Sequence, residues 1–233
     1  MDALIAECLA EANTAGNSYL QALADGALCR EDFVATQVQF FHAVTVFGRP
    51  MAALAARLPT PEARAVIFRN VWEEHGEGDM SQTHTATFLA FLSELGGLEP
   101  EAIWSIPLWP EVRGFNNAVI GTALADDVMV GICTLGMIER LFADISAMIA
   151  RSVVDRGWLP PEQLVHYDLH AHLDIRHAED FFGLARPHWP DGERRYEIAQ
   201  GLRLGANLFM DLYEGLWRAR GRRWSGRPPT RRH

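Results

Sequence analysis

Hydrophobic positions recur every three to four residues along most of this chain, which is the period of an α-helix with one buried face. No segment keeps the alternation of apolar and polar residues that marks a half-buried strand. The pattern predicts helices over residues 2–23, 30–58, 62–75, 81–95, 115–154, 160–186 and 193–220. The sequence Gly48-Arg49-Pro50 predicts a kink or break in the second of them. We therefore expect an all-α, single-domain bundle of about seven helices over residues 1–217.

Charge is distributed unevenly along the chain. The formal net charge is −9, which argues against a nucleic-acid partner. Residues 218–233 differ from the rest because they contain seven arginines, together with glycines and prolines, and no acidic residue. This composition is typical of a disordered, solvated end of a chain. We expect a basic tail outside the folded domain; a contact with the acidic body or with a partner is the alternative.

The residue types that the chain lacks narrow its chemistry. It contains no lysine, which excludes Schiff-base chemistry and Walker-type phosphate binding. The three cysteines have no paired spacing, as is usual for reduced thiols. No segment has the pattern of a signal peptide, and no apolar run reaches membrane-spanning length. We therefore expect a cytoplasmic protein with no membrane partner.

The strongest chemical signal is the polar stripe formed by His170, Asp174 and His177. On an α-helix these three positions lie within about 60° of one another, so they face the same side. Their neighbours are mostly apolar, which indicates that the stripe is buried. Burying two imidazoles and a carboxylate is unfavourable unless a partner such as a divalent metal binds them. The alternative is an ordinary His–Asp pair on a solvated face.

Two further segments offer metal ligands. Glu139 is an acid within an apolar helix, although a surface ion pair with Arg140 is the alternative. His84 begins an apolar helix and should point inward. Its carboxylate partner stays open between Glu77, two helical turns before His84, and Glu74, ten residues before it across a bend broken by glycines.

Taken in chain order, these residues resemble the ligand pattern of the haem-oxygenase-like diiron oxidases and oxygenases. That pattern has a Glu and a His from one region, a Glu from a long middle helix, and then H-x3-D-x2-H. Members with an E-x-G-x-G segment use the Glu two residues before the first Gly, which favours Glu74 over Glu77 here. The resemblance implies a haem-oxygenase-like fold, two Fe(II) ions and O2 as co-substrate. The implied ligands are Glu74, His84, Glu139, His170, Asp174 and His177.

The donor types agree with that implication. Three imidazoles with three carboxylates suit iron or manganese and need no cysteine. A structural zinc site would close with four ligands and leave two of the six unexplained.

The resemblance also implies a function, an O2-dependent oxidase or oxygenase acting on a small organic substrate in specialised metabolism. Related proteins act on amino acids, amines or fatty acid derivatives by N-oxygenation, desaturation or C–C cleavage. Arg49 lies beside an aromatic helix that contains Phe40, and we interpret these two residues as candidates for substrate binding. An arginine exposed on the surface without a ligand is the alternative. We expect a homodimer.

Two other functions stay open. Thiaminase-like and quinone-cofactor-synthase-like proteins share the scaffold and work without metal, and Cys133 is a conceivable nucleophile for that chemistry. This alternative leaves His170, Asp174 and His177 without a role. A non-enzymatic binding protein that uses the basic tail is the third hypothesis, and it predicts no bound iron and no O2 consumption.

Overall fold

A computed structural model describes residues 1–222, and in this range the chain forms ten α-helices joined by short 3-10 turns, without any strand. The helices are α1 (Asp2–Ala12), α2 (Ser18–Asp25), α3 (Arg30–Arg57), α4 (Pro61–Glu74), α5 (His84–Gly96), α6 (Pro100–Ser105), α7 (Pro110–Ala125), α8 (Val128–Asp155), α9 (Val165–Ala185) and α10 (Gly192–Ala219). Buried apolar side chains from Ile5 to Ala219 form one hydrophobic core. The all-α class is therefore confirmed, with more helices than the seven expected.

Two of the three additional helices arise where a continuous apolar pattern is divided, and the third, α6, lies between two predicted helices. The single helix predicted over 115–154 is wrong, because α7 ends at Ala125 and α8 begins at Val128. The side chain of Asp127 accepts a hydrogen bond from the backbone N–H of Met129 and so caps α8. In the same way, the helix predicted over 2–23 is divided at Asn13, which adopts a left-handed conformation with φ of 44°.

Of the kink or break predicted at Gly48-Arg49-Pro50, the break does not occur, since α3 continues through Pro50 as one helix of 28 residues. A proline inside a helix removes one backbone hydrogen bond. Here Met51 and Leu54, which follow Pro50, are completely buried in the core. Burial of these two side chains offsets the lost hydrogen bond.

Helices α8, α9 and α10 approach one another closely at glycines. A Cβ atom at Gly201 of α10 would lie 2.5 Å from the carbonyl oxygen of Val130 in α8, and one at Gly205 would lie 2.5 Å from that of Thr134. On the opposite side, a Cβ atom at Gly136 of α8 would lie 2.8 Å from Phe181 of α9. These contacts fix α8 between the other two helices.

The structure describes the first five residues of the predicted basic tail, 218–222. Helix α10 extends to Ala219, and Arg222 donates two hydrogen bonds to the carboxylate of Glu111. Most of the predicted tail, residues 223–233, lies outside the described residues. Within residues 1–222, none of the helices has the length and apolar character needed to cross a membrane.

Candidate metal centre

The stripe of α9 faces the core. His170, Asp174 and His177 are completely buried, as the sequence predicts. Nδ1 of His170 lies 2.8 Å from Oδ1 of Asp174, one helical turn along. When Asp174 is ionised, as it would be beside a bound cation, its oxygen accepts from Nδ1–H of His170, and Nε2 of His170 then carries a free lone pair.

Helices α4 and α8 bring two more carboxylates to this stripe. The Oε1 atoms of Glu74 and Glu139 each lie 3.6 Å from Nδ1 of His177, and Oδ1 of Asp174 lies 3.9 Å from the same nitrogen. One ligand atom from each of Glu74, Glu139 and His177 falls within 4.8 Å of the others. The last predicted ligand, His84, contacts Glu74 through Nδ1, and its ring centroid lies 4.0 Å from that of His170. All six predicted residues therefore meet in one buried cluster.

The geometry distinguishes Glu74 from Glu77. Glu74 is the last residue of α4 and is buried, whereas Glu77 is exposed and has a left-handed backbone with φ of 52°. Between them the chain turns at Gly76, whose φ is 70°. A Cβ atom there would lie 2.8 Å from the backbone of Gln82, so only glycine fits without a shift. This turn returns the chain to the cluster, where His84 begins α5.

The three imidazoles of the cluster share one arrangement. In each, one ring nitrogen contacts a carboxylate. His84 contacts Glu74, His170 contacts Asp174, and His177 contacts Glu73. The other ring nitrogen is buried and has no hydrogen-bond partner among residues 1–222. Each of the three carboxylates also leaves one buried oxygen without a hydrogen-bond partner in that range. The unpartnered atoms are Nε2 of His84, Nε2 of His170, Nδ1 of His177, Oε1 of Glu74, Oε1 of Glu139 and Oδ2 of Asp174.

These unpartnered atoms test whether a metal fits. A buried polar atom without a hydrogen bond costs about 1–3 kcal/mol, and six in one cluster are not tolerated without compensation. Imidazole nitrogens and carboxylate oxygens are donors that iron and manganese accept. The residues present therefore fit a metal centre, and the six would be its ligands.

The pKa shifts of the buried groups also indicate that the cluster favours a bound cation. Burial, together with the charge of Asp174, raises the pKa of Glu139 to about 8. Burial opposes the charged form of His177, but the neighbouring Glu139 carboxylate and the charges of Glu74 and Asp174 outweigh it and raise the pKa of His177 to about 10. Burial lowers the pKa of His170 to about 4. Without a cation the carboxyl groups and His177 thus share protons within the cluster, and a bound metal would displace protons from it.

Comparison with known proteins supports a metal centre. The sequence model of a haem-oxygenase-like family described as iron-containing redox enzymes matches residues 35–210, which is more than half of the chain. The chain belongs to this family. No curated protein matches the sequence.

Solved structures share the fold of this family member. A domain of unknown function with a haem-oxygenase-like fold from Shewanella denitrificans has a TM-score of 0.74 at 13% identity, covering 92% of this chain and 89% of that chain. A TenA homologue from Pseudomonas syringae pv. tomato also has a TM-score of 0.74, at 16% identity, with 93% and 92% covered. A CADD-like protein of unknown function from Nostoc punctiforme has a TM-score of 0.70 at 17% identity, with 89% of each chain covered. Identities this low show the fold alone.

The sequence analysis does not single out Glu73. Its Oε2 atom accepts a hydrogen bond of 2.8 Å from Nε2 of His177, and Arg176 donates two of 2.9 Å to the same carboxylate. A carboxylate on the far nitrogen fixes the tautomer and the orientation of a ligating imidazole. The sequence gives only a faint signal, since Glu73 is one of several acids in a short polar segment.

A second missed residue is His166. It is completely buried one turn before His170, and the two ring centroids are 4.3 Å apart. Its Nδ1 lies 3.0 Å from the hydroxyl of Thr87, and its Nε2 has no partner among residues 1–222. The spacing of four residues, from His166 to His170 to Asp174, extends the predicted stripe and would have found it.

The two candidate substrate residues lie on different sides of the cluster. Phe40 is buried and lines an apolar pocket that reaches Glu74, His84, Glu139 and Asp174. Arg49 is exposed and lines an open cleft that also reaches Glu74 and His84.

Proposed function

We propose that this family member is a non-haem diiron oxidoreductase that uses O2 to oxidise a small organic substrate. The observation that supports this most is the set of six unpartnered ligand atoms, three imidazole nitrogens and three carboxylate oxygens, in one buried cluster. Six donors exceed the four that a structural zinc ion needs and are enough for two metal ions. When bound, two Fe(II) ions would supply the electrons that reduce O2.

The chain's own residues prepare the site for this chemistry. Glu74, Glu139 and Asp174 are three buried acids, and their negative charge offsets that of the metal ions. Glu73 fixes the ring of His177 so that Nδ1 faces the carboxylates of Glu74 and Glu139. The positions of the ligands therefore depend on α4, α8 and α9 together.

The pocket beside the cluster offers water few hydrogen-bonding partners. Apart from the proposed ligands, its wall consists only of apolar side chains, contributed by Phe40, Ala43, Val44, Phe47, Phe115, Ile138, Phe142 and Phe209. An apolar wall at a redox centre limits side reactions of activated oxygen with water.

The metal-independent, thiaminase-like alternative is less consistent with the position of Cys133. Its thiol is completely buried, and burial raises its pKa well above the ordinary value. It packs where α10 crosses α8 at Gly201, and it does not line the pocket. A thiol in this environment is a poor nucleophile.

Rapid mixing with O2 tests the proposed function. Protein loaded anaerobically with Fe(II) should consume O2 and give a transient visible absorbance in a stopped-flow experiment. Zn(II)-loaded protein is the matched control and should give neither signal. Fe(II)-loaded protein that consumes no O2, with or without candidate substrates, would contradict the proposal.

A further inference from the structure

The six proposed ligands do not account for every buried imidazole beside the metal centre. His166 of α9 is completely buried, and its Nε2 atom has no hydrogen-bond partner among residues 1–222. A buried polar atom in this state costs about 1–3 kcal/mol. It therefore needs an explanation of the same kind as the six proposed ligand atoms.

His166 lies in a compact group of three imidazoles. It precedes His170 by one helical turn, and the centroids of the two rings are 4.3 Å apart. The ring of His84, at the start of α5, lies 4.0 Å from that of His170 and 5.8 Å from that of His166. In all three residues, Nε2 is buried and has no hydrogen-bond partner among residues 1–222. The same ring atom is therefore available in each of them.

The other rings around His166 do not offer Nε2 a hydrogen-bond donor. The rings of Phe88 and Phe142, with centroids at 4.7 and 6.3 Å, have no polar atom. The ring of Tyr167 lies at 5.5 Å, but its hydroxyl donates to the side chain of Gln37. The packing around His166 thus consists of hydrocarbon rings, a phenol already in use, and two imidazoles that are themselves proposed ligands.

Thr87 of α5 fixes the tautomer of His166. Its hydroxyl lies 3.2 Å from the carbonyl oxygen of Thr83, one helical turn earlier, and 3.0 Å from Nδ1 of His166. Threonine hydroxyls in helices commonly donate to the carbonyl four residues back. With that donation made, the hydroxyl oxygen accepts from Nδ1–H of His166, and Nε2 carries a free lone pair. A metal-ligating histidine is held in the same way, through a hydrogen bond from its other ring nitrogen.

The cluster thus has two chemically different ends. At one end, ligand atoms of Glu74, Glu139 and His177 lie within 4.8 Å of one another. The other end is the group of three imidazoles, which we call the imidazole end. Its Nε2 atoms are not part of the 4.8 Å group, so the rings have to rotate to meet on one ion. Two histidines four residues apart on a helix are a known chelating pair for a metal ion.

We propose that His166 is a seventh metal ligand, which binds through Nε2 together with His84 and His170 at the imidazole end. One ion of the centre would then have mainly nitrogen ligands, and the other mainly oxygen ligands. Imidazoles suit zinc as well as iron, whereas carboxylates favour iron and manganese. The inference rests on the proposed function only in that the cluster binds metal, and it requires no reaction with O2.

Nuclear magnetic resonance of the full chain, labelled with ¹⁵N-histidine and titrated with Zn(II), tests this inference. Long-range ¹H–¹⁵N spectra distinguish a ring nitrogen with a free lone pair from one that is bound to a metal. The signals of His166 are those missing from His166→Gln. The first equivalent of Zn(II) should shift Nε2 of His84, His166 and His170 together. An unchanged Nε2 signal of His166, while those of His84 and His170 shift, would overturn the inference.

Substitution measures how much His166 contributes to binding. His166→Gln keeps a donor for the hydroxyl of Thr87 and should weaken binding of the first Zn(II) at least about tenfold. Thr87→Val removes only the partner that orients the imidazole and should have a smaller effect. His172→Gln is the matched control, because His172 is exposed on the same helix, and it should bind Zn(II) like the wild-type protein.

The melting temperature of the metal-free His166→Gln protein shows whether the variant is folded, and the spectra of the wild-type protein decide the question if it is not. Equal Zn(II) affinity of a folded His166→Gln and the wild-type protein would overturn the inference.

This inference and the proposed function can fail separately. If Zn(II) shifts Nε2 of His166 but Fe(II)-loaded protein consumes no O2, the diiron function is wrong and the seventh ligand stands. If Fe(II)-loaded protein consumes O2 while Nε2 of His166 is unaffected by metal, the seventh ligand is wrong and the diiron function stands.

Discussion

Glu73 accepts a hydrogen bond from Nε2 of His177 at 2.8 Å, so that the other ring nitrogen faces the carboxylates of Glu74 and Glu139 at 3.6 Å. Glu73 and His177 are 104 positions apart in the sequence, and their contact joins α4 to α9. It gives the cluster a fixed imidazole before any metal binds.

We expect Glu73→Ala to weaken Fe(II) binding by about 10–100-fold, because outer carboxylates of this kind orient the ligating imidazole. Glu73→Gln should have a smaller effect, since its amide oxygen still accepts a hydrogen bond from Nε2. Anaerobic Fe(II) titration measures both. Glu62→Gln, an exposed acid on the first turn of the same helix, is the control. Unchanged affinity in Glu73→Ala would show that His177 needs no such partner.

Glu74 and Glu77 should differ sharply on substitution. Glu74→Ala removes a buried ligand atom and should reduce the iron content and abolish reaction with O2. Glu77→Ala changes an exposed side chain in the turn after α4 and should leave both nearly intact. Iron content and O2 consumption distinguish the two variants. The reverse pattern would mean that Glu77, and not Glu74, is the metal ligand.

The variant Asp174→Asn should weaken metal binding without destabilising the metal-free fold. Asn keeps the shape of the side chain and accepts the hydrogen bond from His170, so the metal-free protein should fold with little change in Tm. The amide lacks the negative charge of the carboxylate and binds a cation more weakly, so the rise in Tm on adding Fe(II) should shrink. Thermal unfolding with and without Fe(II) measures both effects. An undiminished rise in Tm would remove Asp174 from the site.

The segment between Glu74 and His84 should gain order when metal binds. It contains two 3-10 turns of mostly exposed residues, whereas α9 is well packed. Ligand atoms lie at both of its ends, so a bound metal restrains it. Amide hydrogen exchange over residues 74–84 should slow on adding Fe(II), with α9 changing less. Equal exchange in both states would indicate a preformed site.

A matched pair of glycine variants tests the close approach of α10 to α8. Gly201→Ala places a Cβ atom 2.5 Å from a backbone oxygen of α8 and should destabilise the fold by about 1–3 kcal/mol. Gly121→Ala is the control, because nothing lies within 4 Å of its Cβ position in α7. It should stabilise the fold by about 0.5–1 kcal/mol. Denaturant unfolding measures both, and equal effects would show that the glycine contact has no structural role.

The sequence predicts the α9 stripe well because the whole signal is local. The spacing of His170, Asp174 and His177 places them on one face, and their apolar neighbours indicate burial, as observed. Glu139 is similar, since an acid inside an apolar run is unusual within a single helix. That these residues bind metal stays a prediction.

The helix boundaries and the surroundings of the site were harder to predict, because they depend on single caps and on tertiary contacts. Asp127 ends an apolar pattern that otherwise continues, and Pro50 is tolerated because its neighbours are buried. Glu73 becomes informative only when the fold brings α4 to α9. The contrast between the apolar pocket and the cleft with Arg49 likewise appears only in three dimensions.

The iron stoichiometry tests the central claim most directly. Protein titrated anaerobically with Fe(II), desalted and analysed for metal should retain about two irons per chain. Glu139→Ala should retain fewer, because it removes one of the buried oxygen ligands. One iron or none retained by the wild-type protein, or two retained by Glu139→Ala, would contradict a six-ligand diiron centre.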